Sequence, residues 1–215
     1  MGKISLISLF CFCGLLTVSA MAPISLDQPP EAWRPVLTRL SDDAPLRASF
    51  VEYRSIPAQK QPMEYRGTIR WSPEFGLSLA YEKPQALVIH IFEDTMFISE
   101  PGKRLKVVRD RKRKAAMAFF TRLFAWDSAW LDENFTSEGA LDDNGAWQFT
   151  MVPLDGPVSR AMTEINLRGD AQALQEIILN LKGDKTIQVK ILEQTRPAFF
   201  TDEEGRAAFP GIDDK

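Results

Sequence analysis

The stretch TIRW at residues 68–71 and the stretch LSLAY at residues 77–81 place large apolar side chains at every second position. Two runs that follow, LVIHIF at 87–92 and MFI at 96–98, are apolar at nearly every position. Successive side chains of a β-strand point to opposite faces, so a period of two makes one face of a sheet apolar. These runs predict neighbouring strands whose shared apolar face must be covered by a second layer or by a ligand.

Turn-forming residues separate the predicted strands at short, regular intervals. The breaks are SP at 72–73, KP at 83–84, ED at 93–94 and PG at 101–102. Further along, DDNG at 142–145 is a hairpin turn signal between two more strand-like runs. Short strands with this spacing indicate an antiparallel meander.

Helices are predicted at two places outside the strands. Residues 33–40 carry apolar side chains at helical spacing, which predicts a short amphipathic helix that docks on the sheet. Residues 127–131 predict a second helical turn. Residues 21–31 contain three prolines and are expected to form a loose lead-in.

Composition is that of a single globular domain. The chain has 215 residues, with 45% hydrophobic and 26% charged residues, which is enough to bury a substantial core. The formal net charge of −3 provides no general basic field of the kind that nucleic-acid-binding proteins use.

The N-terminus resembles a secretory signal. Lys3 precedes an apolar run over residues 4–18, and small residues surround Ala20. The alternative is an uncleaved anchor, but the run is shorter than the ~20 residues that a spanning helix needs. We therefore expect residues 1–20 to be a cleaved signal peptide and residues 21–215 to form one exported, periplasmic domain.

Both cysteines, Cys11 and Cys13, lie inside the predicted signal, and each follows a bulky phenylalanine. Lipidation of a bacterial lipoprotein cysteine needs a small residue before it. The exported domain is therefore expected to have no thiol, disulfide or lipid attachment.

Few residues are suited to enzyme chemistry. His90 is the single histidine and lies in an apolar strand, where a structural role is expected. The acidic pairs at 93–94, 142–143 and 203–204 fall at predicted turns, whereas a glycosidase pair must face one bond from rigid positions. We expect no catalytic residue, no metal and no cofactor.

The segment from Ala115 to Trp126 is unusually apolar, with Thr121 and Arg122 as its polar residues. A surface helix normally keeps one polar face. The segment is therefore either a core helix packed on the sheet or a lid that contacts something apolar intermittently. The candidate lid residues are Phe119, Phe120, Leu123, Phe124 and Trp126.

A basic run precedes this segment. Residues 103–114 contain eight basic residues and one acid. The run is either a solvated face or a contact for anionic lipid headgroups or an acidic partner. The candidate contact residues are Arg109, Arg111, Lys112 and Arg113.

The order and spacing of several short motifs resemble the LolA-type periplasmic lipoprotein carriers. The motifs are ASF at 48–50, Gly67, SP at 72–73 and KP at 83–84, with the apolar segment at the family's lid position. Ser72 stands where the family has an arginine that holds the lid closed. Arg70 and Arg122 are the available substitutes.

The resemblance implies an α+β fold that is mainly β: an incomplete antiparallel barrel of about ten to eleven strands, with short helices plugging its open side. It implies a monomeric carrier that shields the acyl chains of a lipoprotein or lipid. Its partners would be an inner-membrane release complex and an outer-membrane acceptor. The strand pattern suggests these acyl-chain cavity residues: Phe50, Ile69, Trp71, Leu77, Leu79, Tyr81, Ile89, Ile91, Met96 and Ile98.

Two other functions stay open at this point. One is a lipid- or glycolipid-binding or sensor module of the same fold that acts through a partner. The other is an exported hydrolase, which the missing nucleophile and base disfavour.

Overall fold

The structure is a computed structural model that describes residues 20–42, 44–93, 95–108 and 119–211. Over these residues it contains one antiparallel sheet of twelve strands in the order β1-β8-β9-β10-β11-β12-β2-β3-β4-β5-β6-β7. The two end strands, β1 and β7, do not pair with each other, so the sheet curves without closing into a barrel. The strands are β1 (Ala22–Pro23), β2 (Leu46–Ser55), β3 (Met63–Ser72), β4 (Gly76–Lys83), β5 (Leu87–Phe92), β6 (Thr95–Ser99), β7 (Lys106–Val108), β8 (Phe135–Leu141), β9 (Trp147–Pro153), β10 (Met162–Gly169), β11 (Leu174–Leu181) and β12 (Lys185–Thr195).

This architecture confirms the incomplete antiparallel barrel, with a strand count slightly above the expected ten to eleven. The register confirms the predicted apolar face. Ile69 pairs with Leu79, which pairs in turn with Ile89, so these three side chains share the concave face. The intervening residues, Arg70, Ser78 and His90, point to the convex face.

Short helices cover the concave face, as expected. A 3₁₀ turn (Glu31–Trp33) leads into α1 (Arg34–Leu40), whose Val36 and Leu37 are buried. The Trp33 ring packs on Phe149 with 4.6 Å between the ring centroids. These apolar contacts hold α1 against the β9 end of the sheet.

Two more helical segments follow β7. Residues 119–124 are helical and are called α2 here. The helix α3 (Ser128–Asn134) begins at Asp127, whose side chain accepts a hydrogen bond from the Trp130 amide over 3.1 Å. This cap satisfies one of the amides that a helix leaves unpaired at its first turn.

The expectation of a loose lead-in over residues 21–31 is wrong. Ala22 and Pro23 pair with β8 at the edge of the sheet, and Ile24 and Leu26 are buried in the core. Two well-placed apolar side chains fix this segment in spite of its prolines.

The C-terminal tail covers part of the convex face. Its helix α4 (Asp202–Ala208) begins with a capping box between Thr201 and Glu204. Phe200, Ala208 and Phe209 form a small second core together with Phe75. The tail is therefore a structural layer, which the sequence analysis did not predict.

His90 holds this layer to the sheet. Its Nδ1 lies 2.8 Å from the Pro210 carbonyl oxygen, and its Nε2 lies 2.7 Å from the Phe75 carbonyl oxygen. A neutral imidazole has one N–H and donates to one of these oxygens. The histidine is fully buried, which agrees with the structural role predicted for it.

No helix in the described ranges combines the length and the apolar character that crossing a bilayer requires.

Candidate functional site

A cavity of about 260 Å³ lies between the concave face of the sheet and α2. We call it the apolar cavity, because nearly all its lining side chains are aliphatic or aromatic. The lining residues are Phe50, Glu52, Arg54, Ile69, Leu79, Tyr81, Ile89, Ile91, Met96, Phe120, Phe124, Ile177, Leu179, Ile187 and Val189.

The structure brings most of the predicted cavity residues together here. Those that line the cavity are Phe50, Ile69, Leu79, Tyr81, Ile89, Ile91 and Met96. Trp71 and Leu77 pair with each other near the β3–β4 turn and are buried beyond the cavity. Ile98 lies opposite Ile89 on β6, half-buried and outside the lining.

Four lining residues come from strands that the sequence analysis did not assign to the site. Ile177 and Leu179 lie on β11, and Ile187 and Val189 lie on β12. On β12 the pair alternates with polar residues, which is the signal that identified β3 and β4, whereas on β11 the apolar Ile178 separates the pair. β12 pairs with β2, which lies far earlier in the chain. The local sequence pattern of β11 and β12 therefore did not reveal that these strands border the cavity.

Burial distinguishes the floor of the cavity from its mouth. Phe50, Ile69 and Ile91 on one side of the floor, and Ile177 on the other, are buried. Ile89, Met96, Ile187 and Val189 around the mouth are half-buried. An apolar molecule that enters from the mouth would therefore meet a floor that is apolar apart from Glu52 and the Tyr81 hydroxyl.

Two candidate lid residues reach the cavity. Phe120 and Phe124 are half-buried and close one side of it. Phe119, Leu123 and Trp126 are buried in the main core, and Phe119 packs on Phe135 with 5.6 Å between the centroids. One side of α2 is therefore packed in the core, and two aromatic rings on its other side cover the cavity.

The C-terminal end of α2 is in an unfavourable conformation. Trp126 has a φ of 47°, in the left-handed region that costs a non-glycine residue about 1–3 kcal/mol. Its side chain is 4% exposed, and its indole Nε1 has no hydrogen-bond partner among the described residues. The strained backbone and the buried, unpaired N–H both destabilise the segment predicted to be a lid.

The two arginines suggested as lid latches have other contacts. Arg70 lies on the convex face beside Arg47 and Glu204, away from α2. Burial, followed by the nearby charge of Arg47, lowers the pKa of Arg70. Arg122 forms an ion pair with Asp127 at the end of α2. The latter pair ties α2 to the start of α3.

A polar cluster interrupts the apolar lining. Glu52 is 4% exposed, and its carboxylate pairs with the Arg54 guanidinium and accepts a hydrogen bond from the Tyr81 hydroxyl over 2.8 Å. The Arg54 guanidinium also lies 4.2 Å from the centroid of the Tyr65 ring. The cluster has no net charge and satisfies its buried groups internally.

Electrostatics hold Arg54 and Tyr81 in their usual charge states. Burial alone would lower the pKa of Arg54, but the hydrogen bond and charge of Glu52 outweigh it and raise that pKa. Burial, reinforced by the charge of Glu52, raises the pKa of Tyr81. The tyrosine therefore remains a neutral hydrogen-bond donor throughout the physiological range.

A second, larger cavity of about 930 Å³ lies at the other end of the concave face. We call it the polar cleft, because charged and amide side chains share its lining with apolar ones. The lining residues are Pro35, Val36, Thr38, Arg39, Leu40, Ser41, Asp42, Leu46, Leu123, Phe124, Trp126, Trp147, Asp170, Ala171, Gln172, Ala173, Leu174, Ile191, Gln194 and Arg196.

The basic contact residues Arg109, Arg111, Lys112 and Arg113 lie outside the described residues. Their role remains a prediction from the sequence.

Comparison with known families identifies the fold. Residues 21–195 match the family model described as outer membrane lipoprotein carrier protein LolA-like. The chain belongs to this LolA-like family. No curated protein matches the chain in sequence.

Solved structures with a similar course of the chain share little sequence with this LolA-like protein. A LolA superfamily protein from Nitrosomonas europaea is 7% identical, with a TM-score of 0.43, over 79% of this chain and 95% of that one. The MucA/MucB complex of Pseudomonas aeruginosa gives 10% identity and a TM-score of 0.45, over 81% of this chain and 59% of that one. LprF from Mycobacterium bovis gives 9% identity and a TM-score of 0.39, over 81% of this chain and 98% of that one.

Proposed function

We propose that this LolA-like protein is a periplasmic carrier that shields the acyl chains of a lipoprotein, or of a lipid, in the apolar cavity and delivers them from the inner to the outer membrane. The observation that supports this proposal best is the cavity itself. Its lining is mostly apolar, two aromatic rings of α2 cover it, and the family model is that of a lipoprotein carrier.

The energetic need for such a cavity is large. Moving an acyl chain into water costs ~0.8 kcal/mol per methylene, which is ~13 kcal/mol for a chain of sixteen carbons. A cavity lined by aliphatic side chains removes most of this cost without any chemical step. Carriage therefore requires no catalytic residue.

The volume of the cavity indicates how loading proceeds. At 260 Å³ it is slightly below the range of about 300–1,000 Å³ that is typical of small-molecule sites. A long acyl chain therefore needs the space that Phe120 and Phe124 now occupy. These rings and the cargo compete for the same apolar surface, which makes loading reversible. The unfavourable state of Trp126 lowers the cost of moving α2 outward.

Directional delivery then depends on the partners. An inner-membrane complex would load the cavity and an outer-membrane acceptor with higher affinity would empty it. The four basic residues Arg109, Arg111, Lys112 and Arg113 would orient the protein towards an anionic membrane surface or an acidic partner.

The test is a lipid extract and native mass spectrum of the exported protein purified from the periplasm. We expect a co-purifying acylated species. A matched pair of variants on β5 assigns it to the cavity: Ile89→Asn changes the lining, and Val88→Asn changes the neighbouring half-buried residue on the convex face.

Palmitate affinity should fall at least about tenfold in Ile89→Asn and stay within about twofold of wild type in Val88→Asn. Circular dichroism verifies that both variants are folded. Absence of any acyl species, together with no palmitate binding by the wild type, would refute the carrier proposal.

A further inference from the structure

The apolar cavity and the polar cleft lie end to end inside the same half-barrel. Three strands contribute to both. On β11, Leu174 lines the cleft and Ile177 lines the cavity. On β12, Ile191 lines the cleft and Val189 lines the cavity. β2 also contributes to both linings, with its cleft residue at one end and its cavity residues further along. The two spaces therefore lie in line along the strands.

Phe124 is the wall between them, because its side chain belongs to both linings. Its ring is half-buried, so it is not locked within the core. A rotation of this ring, or an outward shift of α2, would join the two spaces. Trp126 has a left-handed backbone and an indole N–H without a partner in the described part of the chain; it lies two residues further along and lines the cleft.

The chemistry of the cleft differs from that of the cavity. Its lining contains two guanidinium groups, of Arg39 and Arg196, and two carboxylates, of Asp42 and Asp170, so its charges balance. Arg39 donates to the Gln172 side chain over 3.3 Å, and Arg196 lies 3.9 Å from Asp42. Such a surface offers both donors and acceptors but no excess charge for an isolated anion.

We propose that the polar cleft binds the peptide end of an acylated lipopeptide whose chain occupies the apolar cavity. Peptide amides both donate and accept hydrogen bonds, which matches a lining with both kinds of group. The volume of about 930 Å³ is near the upper end for small-molecule sites, and thus suits a ligand larger than a carboxylate or a glycerol group. This inference rests on the proposed carrier function and specifies the cargo.

The experiment compares two probes, palmitate and a dipalmitoylglyceryl-cysteinyl pentapeptide. The variant Thr38→Trp places a large ring in the cleft from an exposed position on α1, which should leave the core intact. The control is Arg34→Trp, one turn earlier on α1, exposed and outside the cleft lining.

We expect Thr38→Trp to weaken lipopeptide binding at least about tenfold while palmitate affinity changes by less than about twofold. Arg34→Trp should leave both affinities unchanged. Equal lipopeptide affinity in Thr38→Trp and wild type would overturn the cleft assignment, with palmitate binding and the carrier proposal intact. Failure of the wild type to bind either probe would instead overturn the carrier proposal.

A second measurement does not depend on variants that fold. A benzophenone at the second residue of the lipopeptide should cross-link to residues 38–42 or 170–174 of the wild-type protein. Cross-links confined to other surfaces would overturn the proposal.

A third probe, dipalmitoyl phosphatidylglycerol, distinguishes a peptide from a lipid headgroup. If it binds more tightly than the lipopeptide and Thr38→Trp weakens its binding equally, the peptide assignment is overturned in favour of a lipid headgroup.

Discussion

Tyr81 donates its phenolic hydrogen to Oε2 of Glu52 over 2.8 Å at the inner edge of a cavity whose other walls are mostly apolar. Arg54 completes the arrangement by pairing with the same carboxylate. A buried carboxylate in an acyl-binding space is costly unless its charge and lone pairs are satisfied. The three side chains therefore form one unit, and removal of a single member should be more damaging than removal of the charged pair.

The first prediction concerns this unit. Arg54→Met leaves the Glu52 charge buried, a change that costs about 3–5 kcal/mol in fully buried pairs and about 1–3 kcal/mol here, because Arg54 is about one-third exposed. The double variant Glu52→Leu/Arg54→Met should recover most of that loss. Urea unfolding measures both values. A double variant less stable than Arg54→Met would contradict the explanation.

The second prediction concerns pH. Burial lowers the pKa of His90, although its two carbonyl contacts act in the opposite direction. The unfolded chain therefore binds a proton more readily than the folded one, so the free energy of unfolding should fall as the pH drops below about 6.5.

Because His90 is the only histidine, His90→Gln should flatten the stability profile between about pH 7.5 and about pH 5.5. Thermal unfolding in a pH series is the measurement. The same slope in His90→Gln and wild type would mean that another group titrates in this window.

The third prediction tests competition between the lid and the cargo. Phe120→Ala empties space in the apolar cavity and should raise palmitate affinity by about three- to tenfold. Leu123→Ala is the control, because it removes a buried side chain from the same helix but lies outside the cavity lining. An equal gain in both variants would indicate general loosening of α2 instead of competition.

The fourth prediction concerns the C-terminal tail. Phe209 is almost fully buried, so Phe209→Ala should lower the free energy of unfolding by about 3–5 kcal/mol. Phe199 is 70% exposed, and Phe199→Ala should change it by less than about 0.5 kcal/mol. Comparable losses in the two variants would show that the tail does not contribute a core.

The fifth prediction comes from the sequence alone. Neutralising Arg109, Arg111, Lys112 and Arg113 with glutamine should weaken binding to anionic liposomes and reduce its salt dependence, because each basic residue near such a surface contributes about 1 kcal/mol. Co-sedimentation at two salt concentrations measures both effects. An unchanged salt dependence would indicate that the basic run is a solvated face and does not contact the membrane.

The sheet could be predicted because its signal is local. The period of two in β3 and β4 fixes which of their side chains share a face, and short turns between neighbouring strands fix the pairing with β5. The cavity residues on these strands could therefore be predicted. Those on β11 and β12 could not, because the pairing of β12 with β2 joins residues more than 130 positions apart in the chain.

The polar cluster and the tail illustrate two other limits. Phe50, Glu52 and Arg54 occupy alternate positions of β2, so the sequence did contain the signal for two charged groups on the concave face. The tail gave no comparable signal. Its helix is seven residues long and mostly polar, and it is held by the flanking Phe200 and Phe209 against a distant part of the sheet.

The tail has a practical consequence for anyone who produces this protein. The family match ends at residue 195, which invites truncation there in expression vectors. A truncated product would lack the carbonyl of Pro210 that contacts His90 and the carbonyl of Ala208 that accepts from Ser78, and it would expose Phe75 to solvent. Its aggregation would reflect a missing outer layer, and loss of binding by such a product would say nothing about the cargo.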